Sequence, residues 1–271
     1  MSRISNTIEL AGASWRVLKS DKELLLLPAM SLLATLAVAA TFLVPVLSGC
    51  DLEAECTLGT PDYVLLGVMY LALAFITIFF NAALVHAAHE RMSGGDPTLG
   101  SALRGAVGRV HRILPWAIVS ATVSLILRAI EERAGMLGKV VSAIAGVAWA
   151  LVTFLVIPVL VVEDVGVGEA VRRSGAMFKR TWGENVAAQV GFGLLGFLAA
   201  LPAAAAIAIG VAAGGAILVI LMLVGIGWIL LVSLVMATLN GIFQTALYRY
   251  AVGQDPTGFG AGAMARAFTA K

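Results

Sequence analysis

The side chains best suited to chemistry are few, and they cluster near the ends of long apolar runs. His86, His89 and Glu90 are spaced so that a helix carries two imidazoles and a carboxylate on one side. Such a set suits Zn²⁺ or another transition metal, with Glu163 or Asp164 as further oxygen donors. The competing reading is a water boundary, where histidine also suits a helix C-terminus. Two histidines without a second pair do not specify a metal, so no metal and no cofactor is assigned. Asn240 and Gln244 stand one turn apart, either as partners for neighbouring helices or as the lining of a substrate path. No ionisable residue accompanies them, which counts against an ion-coupled pump. Nucleotide loops and nucleophile elbows are absent, and the expectation is a protein that is not an enzyme.

The elements that position these residues follow from composition. Of 271 residues, 60% are hydrophobic and 13% charged, with a mean hydropathy of +0.97. Soluble domains hold about 45–50% apolar and about 25% charged residues. That balance excludes a disordered chain, a disulfide-rich miniprotein and an ordinary cytosolic enzyme. Runs without Asp, Glu, Lys or Arg extend over Leu24 to Cys50, Tyr63 to His89, Ile113 to Leu127, Val140 to Val162 and Asn185 to Tyr248. A bilayer core of about 30 Å needs about 20 helical residues. The third run crosses if Arg112 and Arg128 snorkel at its ends, and the last holds two spans broken near Gly210 to Gly215. Six transmembrane helices are therefore predicted, near 24–48, 63–88, 110–130, 140–162, 185–209 and 216–247.

The net charge of +2 conceals an asymmetry. Under that assignment one set of loops and tails carries fifteen basic and ten acidic residues, and the other three basic and six acidic. Basic loops stay inside, so both termini are expected in the cytoplasm of a bacterium, with the spans in its plasma membrane. Cys50 and Cys56, the two cysteines, fall in the first outer loop, where a disulfide would persist. Leu47-Ser48-Gly49-Cys50 also resembles a lipobox, but the apolar run before it is longer than a signal peptide's.

The inner segments have helical periodicity. Ile4, Ile8, Ala11, Trp15 and Leu18 share one face, as do Ala102, Leu103, Ala106 and Val110, and Ala170, Val171, Ser174, Phe178 and Trp182. Amphipathic helices near 4–19, 98–112, 166–182 and 258–269 are expected to lie in the membrane interface. The chain thus divides into three parallel units, each an amphipathic helix followed by a transmembrane hairpin, within a single all-α membrane domain. Gly94-Gly95-Asp96-Pro97-Thr98 and Gly253-Gln254-Asp255-Pro256-Thr257 punctuate equivalent points. Small residues in the later helices permit close contact within the monomer or between copies. Pro28, Pro45, Pro115, Pro158 and Pro202 predict kinks or helix starts, and a lipid-accessible groove beside Pro158 and Pro202.

The run Phe154 to Pro158, then Val161-Val162-Glu163, then Glu169-Ala170-Val171-Arg172-Arg173-Ser174 and on to Trp182 resembles a signature of uncharacterised multi-pass prokaryotic membrane proteins. The signature is similar to one in the membrane domain that accompanies some glycerophosphodiester phosphodiesterases. Ser14-Trp15-Arg16-Val17-Leu18-Lys19, with Asp21 to Leu24 and Pro28, looks like the opening of a six-helix family of unknown function in that group. The resemblance covers essentially the whole chain and implies the fold without an activity, with Pro158, Glu163, Glu169, Arg173 and Ser174 as motif positions. Two roles for the basic helix stay open. Glu163 and Glu169 fix it against Arg172 or Arg173, or Arg172, Arg173, Lys179 and Arg180 hold anionic lipid headgroups. The expected role is a scaffold or organiser of the inner leaflet, as a homo-oligomer or beside a membrane-protein partner, with membrane lipids and without nucleic acid. The alternative is a passive transporter or channel for a lipid or small amphiphile.

Overall fold

Leucine, alanine, valine and isoleucine without interrupting charges leave the backbone to satisfy itself, and the helix is the local solution. The computed structural model describes residues 3–48, 59–133, 135–180 and 182–254. Among them all regular structure is helical: α1 (Arg3–Ser20), α2 (Leu26–Ser48), α3 (Thr60–Met92), α4 (Leu99–Val107), α5 (Val110–Arg133), α6 (Gly135–Thr153), α7 (Val156–Val162), α8 (Val167–Arg180), α9 (Trp182–Ala213) and α10 (Gly215–Ala251). A 3₁₀ turn, Lys22–Leu25, joins α1 to α2.

Six stretches are long and apolar enough to cross a membrane: Lys22–Pro45, Thr60–Met92, Val110–Arg133, Gly135–Val162, Gly191–Ala213 and Gly215–Ala251. Their surfaces agree. Leu33, Val64, Ile144, Phe197, Ile220 and Leu223 are exposed, as suits helices solvated by lipid and not by water. The helices run further than the charge-free runs suggested. α3 has 33 residues and α10 has 37, about 50 and 55 Å of helix against a bilayer core of about 30 Å.

Contacts divide the chain into two units, whose described parts fall within Met1–Leu25, Ala88–Asp96 and Lys179–Lys271 for the first and Leu26–Ala87 and Pro97–Phe178 for the second. In the first unit α9 and α10 pack antiparallel along their length. Cβ positions at Gly196, Gly210 and Gly225 meet Met236, Leu221 and Ile207 in turn, so these small residues serve contact inside the monomer. Gly214 and Gly215, both at positive φ, make the reversal between the two helices, a conformation that costs glycine little. At the other end α1 packs on both α9 and α10. There Ile242, Phe243, Ala246 and Leu247 are fully enclosed, beside buried Leu10, Ala13 and Val17 of α1. The indole of Trp228 donates to the Ala199 carbonyl at 2.8 Å, close to the carbonyl freed by Pro202.

In the second unit α5 and α6 form an antiparallel pair, with Trp116 stacked on Trp149 and Gly146 facing Leu127. Its core gathers at one end, from Ala82 to Val85, Ala102, Ala106, Ile113, Val156, Leu160 and Ala170.

Two predicted elements are divided. The expected amphipathic helix at 98–112 stops at Val107, and a turn at Gly108 and Arg109 leads into α5. The expected span at 140–162 starts earlier, at Gly135, and breaks between Thr153 and Val156. Hydrophobic periodicity passes through both points unchanged, so it could not mark them. Cys50, Cys56 and the segment 258–269 lie outside the described residues, as do the side chains of Arg180 and Trp182.

Candidate functional site

The break between α6 and α7 is where the signature residues meet. Pro158 has no N–H, and in a continuous helix its ring would strike the carbonyl of Phe154. The helix therefore stops at Thr153 and restarts at Val156, which places Pro158 in the first turn of α7, where a missing N–H costs nothing. Helix ends expose backbone groups that need partners. Here Ser174 of α8 supplies two: its hydroxyl accepts from the Leu155 N–H at 3.1 Å and donates to the Val152 carbonyl. Ser174 is fully buried. Gly175, next in sequence, brings α8 within van der Waals distance of Val152.

The charged members close the turn between α7 and α8. Glu163, the last residue of that turn's α7 side, pairs with the Arg173 guanidinium, and Arg173 also donates to Glu169 at 2.7 Å. Arg172 grips Glu169 with two parallel hydrogen bonds of 2.8 Å. Glu169 sits in the first turn of α8, where the helix dipole also favours a carboxylate. Hydrogen bonds from Arg172 and then Arg173 hold its carboxyl at a pKa of about 2, below the usual 4.5. Its contribution to folding is therefore complete above pH 4.5 and declines as pH falls towards 2. Wild type and Glu169→Gln should differ in thermal stability by a constant amount at neutral pH, and the gap should close steadily below pH 4.5. A gap independent of pH down to 2 would contradict the pairing.

Pro158, Glu163, Glu169, Arg173 and Ser174 thus lie in one lock, and its chemistry is spent internally. The Ser174 hydroxyl is committed as both donor and acceptor and has no free role for a substrate. Arg172 and Arg173, candidates for anionic headgroups, already face Glu169 and Glu163. Lys179 is exposed. Pro158 itself is buried in α7, and Pro202 is exposed on α9.

Asp164, a candidate oxygen donor for the metal set, takes positive φ (54°) at the end of α7, a backbone role that the sequence did not signal. Equivalent points after α3 and α10 use glycine, Gly94 and Gly253, each at positive φ. There the Gly95 and Gln254 N–H groups return to the carbonyls of Glu90 and Arg249, a Schellman closure. Aspartate tolerates this conformation better than most residues, and its carboxylate pairs with Arg112 at 3.1 Å. The Gly-Asp-Pro-Thr punctuation carried the signal for two of the three ends. Thr98 caps α4, exchanging hydrogen bonds with Ser101.

The candidate metal set is not assembled. Glu163 and Asp164 are held by arginines, and no group of three or more His, Cys, Asp or Glu side chains that could hold a metal occurs among the described residues. His86 lays its ring against Gly105 of α4, where a Cβ would stand 2.3 Å from the imidazole. The Glu90 stem lies over Gly95. Asn240 and Gln244 also part company: Gln244 is buried, and Asn240 is exposed at the edge of the enclosed part of α10.

Two arginines that sequence reading used only for topology tie down the first unit. Arg91 donates to the Ser20 carbonyl at 2.9 Å and to Asp96 at 2.8 Å, joining the ends of α1 and α3. Arg249, buried on α10, donates to the Ser93 hydroxyl at 2.6 Å. Burial raises the pKa of the Asp21 carboxyl against the pull of Arg91.

Six helices long and apolar enough to cross a membrane, with the signature residues gathered at one helix junction, define a multi-pass helical protein of membrane type. The chain belongs to a family of unknown function (DUF6159), which matches residues 60–259. The match includes the whole of the lock and excludes the Ser14 to Pro28 opening. Nothing links it to glycerophosphodiester phosphodiesterases. No curated protein and no solved structure matches the chain.

Proposed function

We propose that this protein is a non-enzymatic scaffold of the inner leaflet of a bacterial plasma membrane, with both termini cytoplasmic and its short helices in the interface. It works as a homo-oligomer or beside a membrane-protein partner. Cys50 and Cys56 tie the first outer loop, and the three units run parallel. Kinship with phosphodiesterase membrane domains belongs to this reading only as a shared fold. The supporting observation is the lock at α6, α7 and α8. Its buried hydroxyl and paired charges rigidify a helix junction and present no reactive group, as a structural role requires. The excess of basic residues on the proposed inner side suits anionic lipids.

Reconstitution into sealed vesicles tests the reading. A scaffold leaves the exchange of fluorescent phospholipids and the leakage of small amphiphiles at the level of protein-free vesicles. Flux well above that level, falling when Asn240 and Gln244 are both replaced by alanine, would establish a conduit and overturn the proposal.

A further inference from the structure

At the tip of the α5–α6 pair, away from the lock, a cavity of 680 Å³ opens between the last turns of α5 and the first turns of α6. Exposed Arg128, Glu131, Glu132 and Lys139 line it together with half-buried Leu127 and buried Ser142. Arg128 and Glu132 face each other at 3.2 Å, and both are well exposed, so they hold each other weakly and exchange partners readily. Met136 and Leu137, which follow the lining residue Gly135 in sequence, are 86% and 79% exposed. Charged groups at the end of two apolar spans, with bare apolar side chains at the same level, mark the headgroup layer.

We propose that this cavity binds a phosphoethanolamine group, carried on a phospholipid. Two bases and two acids give the lining no net charge, which matches a zwitterion better than an anionic headgroup. The bases take the phosphate through charge-assisted hydrogen bonds, and the acids take the ammonium. A primary ammonium can donate to carboxylates, whereas trimethylammonium is held by aromatic faces, and no aromatic side chain lines the cavity among the described residues. The apolar lining at Leu127 and the exposed Met136 and Leu137 favour the lipid over a soluble zwitterion. The inference rests on the six helices crossing a bilayer and is independent of the scaffold reading.

Native mass spectrometry of the full-length protein in detergent tests it, with phosphatidylethanolamine, phosphatidylcholine and phosphatidylglycerol added at equal concentration. The wild type should retain phosphatidylethanolamine in preference to both others. Glu131→Gln should remove the preference over phosphatidylcholine, and Lys139→Gln should weaken all three, each by about three- to fivefold. Both positions are exposed, so the variants should fold normally. Soluble O-phosphoethanolamine separates the two sources of the group: weak competition assigns the site to lipid, and competition at equal affinity assigns the same group to a soluble ligand. Equal retention of all three lipids, preference for phosphatidylglycerol, or an unchanged preference in the Glu131→Gln, Lys139→Gln double variant would overturn the proposal.

Discussion

Ser174→Ala is expected to lower stability by about 3 kcal/mol, because two backbone groups at a buried helix junction lose their partner at once. For a chain of this size that corresponds to a fall of roughly 6–12 °C in melting temperature. The Val152 carbonyl and the Leu155 N–H both use the Ser174 hydroxyl, and Ser174 and Leu155 are both buried. Ser101→Ala serves as the comparison: it also removes a hydroxyl that hydrogen-bonds backbone, but at an exposed cap, where the loss is about 1 kcal/mol or less. Hydrogen exchange at Leu155 gives the local readout and should speed up in Ser174→Ala alone. Equal, small effects of the two substitutions would show that the junction does not depend on this hydroxyl.

Gly105→Ala should be comparably damaging for the opposite reason, an atom too many. The new methyl would lie 2.3 Å from the His86 ring, so α4 must move away from α3 or the imidazole must leave its site. Overpacking of this kind costs about 1–3 kcal/mol. The diagnostic experiment is the double variant. His86→Ala opens the space, so His86→Ala with Gly105→Ala should be more stable than the sum of the single effects predicts, with a coupling of about 1 kcal/mol or more. Additive losses, measured as unfolding midpoints of all four proteins in one detergent, would mean that the two residues do not meet. A metal role for His86 would have predicted instead that its replacement matters only when metal is present.

The lock explains why its residues read as a motif without reading as a site. Pro158 and Ser174 lie sixteen positions apart, with helix, turn and helix between them. Nothing in spacing alone says that a serine will cap a break that a proline causes. Glu163 and Asp164 were equally ambiguous: a carboxylate at a helix end suits a metal, a lipid ammonium or an arginine, and only the approach of Arg173 and Arg112 selects among them. Glu169 was easier. Its arginines stand three and four residues on, a distance that any helix turns into contact.

The six spans were legible because a bilayer imposes length and composition on each helix separately, and both are properties of contiguous residues. Their extension beyond the charge-free runs was not, since the ends of α3 and α10 are enclosed by other parts of the chain and so tolerate polar residues. Arg249 and Gln244 are buried on a helix whose sequence ends like a water boundary. The turn chemistry after α3 and α10 was visible in glycine and proline. The positive-φ position after α7 was hidden behind an aspartate.

By itself the sequence determined the solvent of this protein, the number of helices that can cross it and the turns at Gly94, Gly214 and Gly253, because hydropathy, helix length and glycine conformation act over a few neighbouring residues. Only the tertiary structure decided that α1 packs on α9 and α10, that α6 and α7 are two helices stitched by α8, and that the motif's charges neutralise one another. Those outcomes depend on which side chains arrive at the same point from distant parts of the chain, and contact at a distance leaves no periodicity in a single sequence.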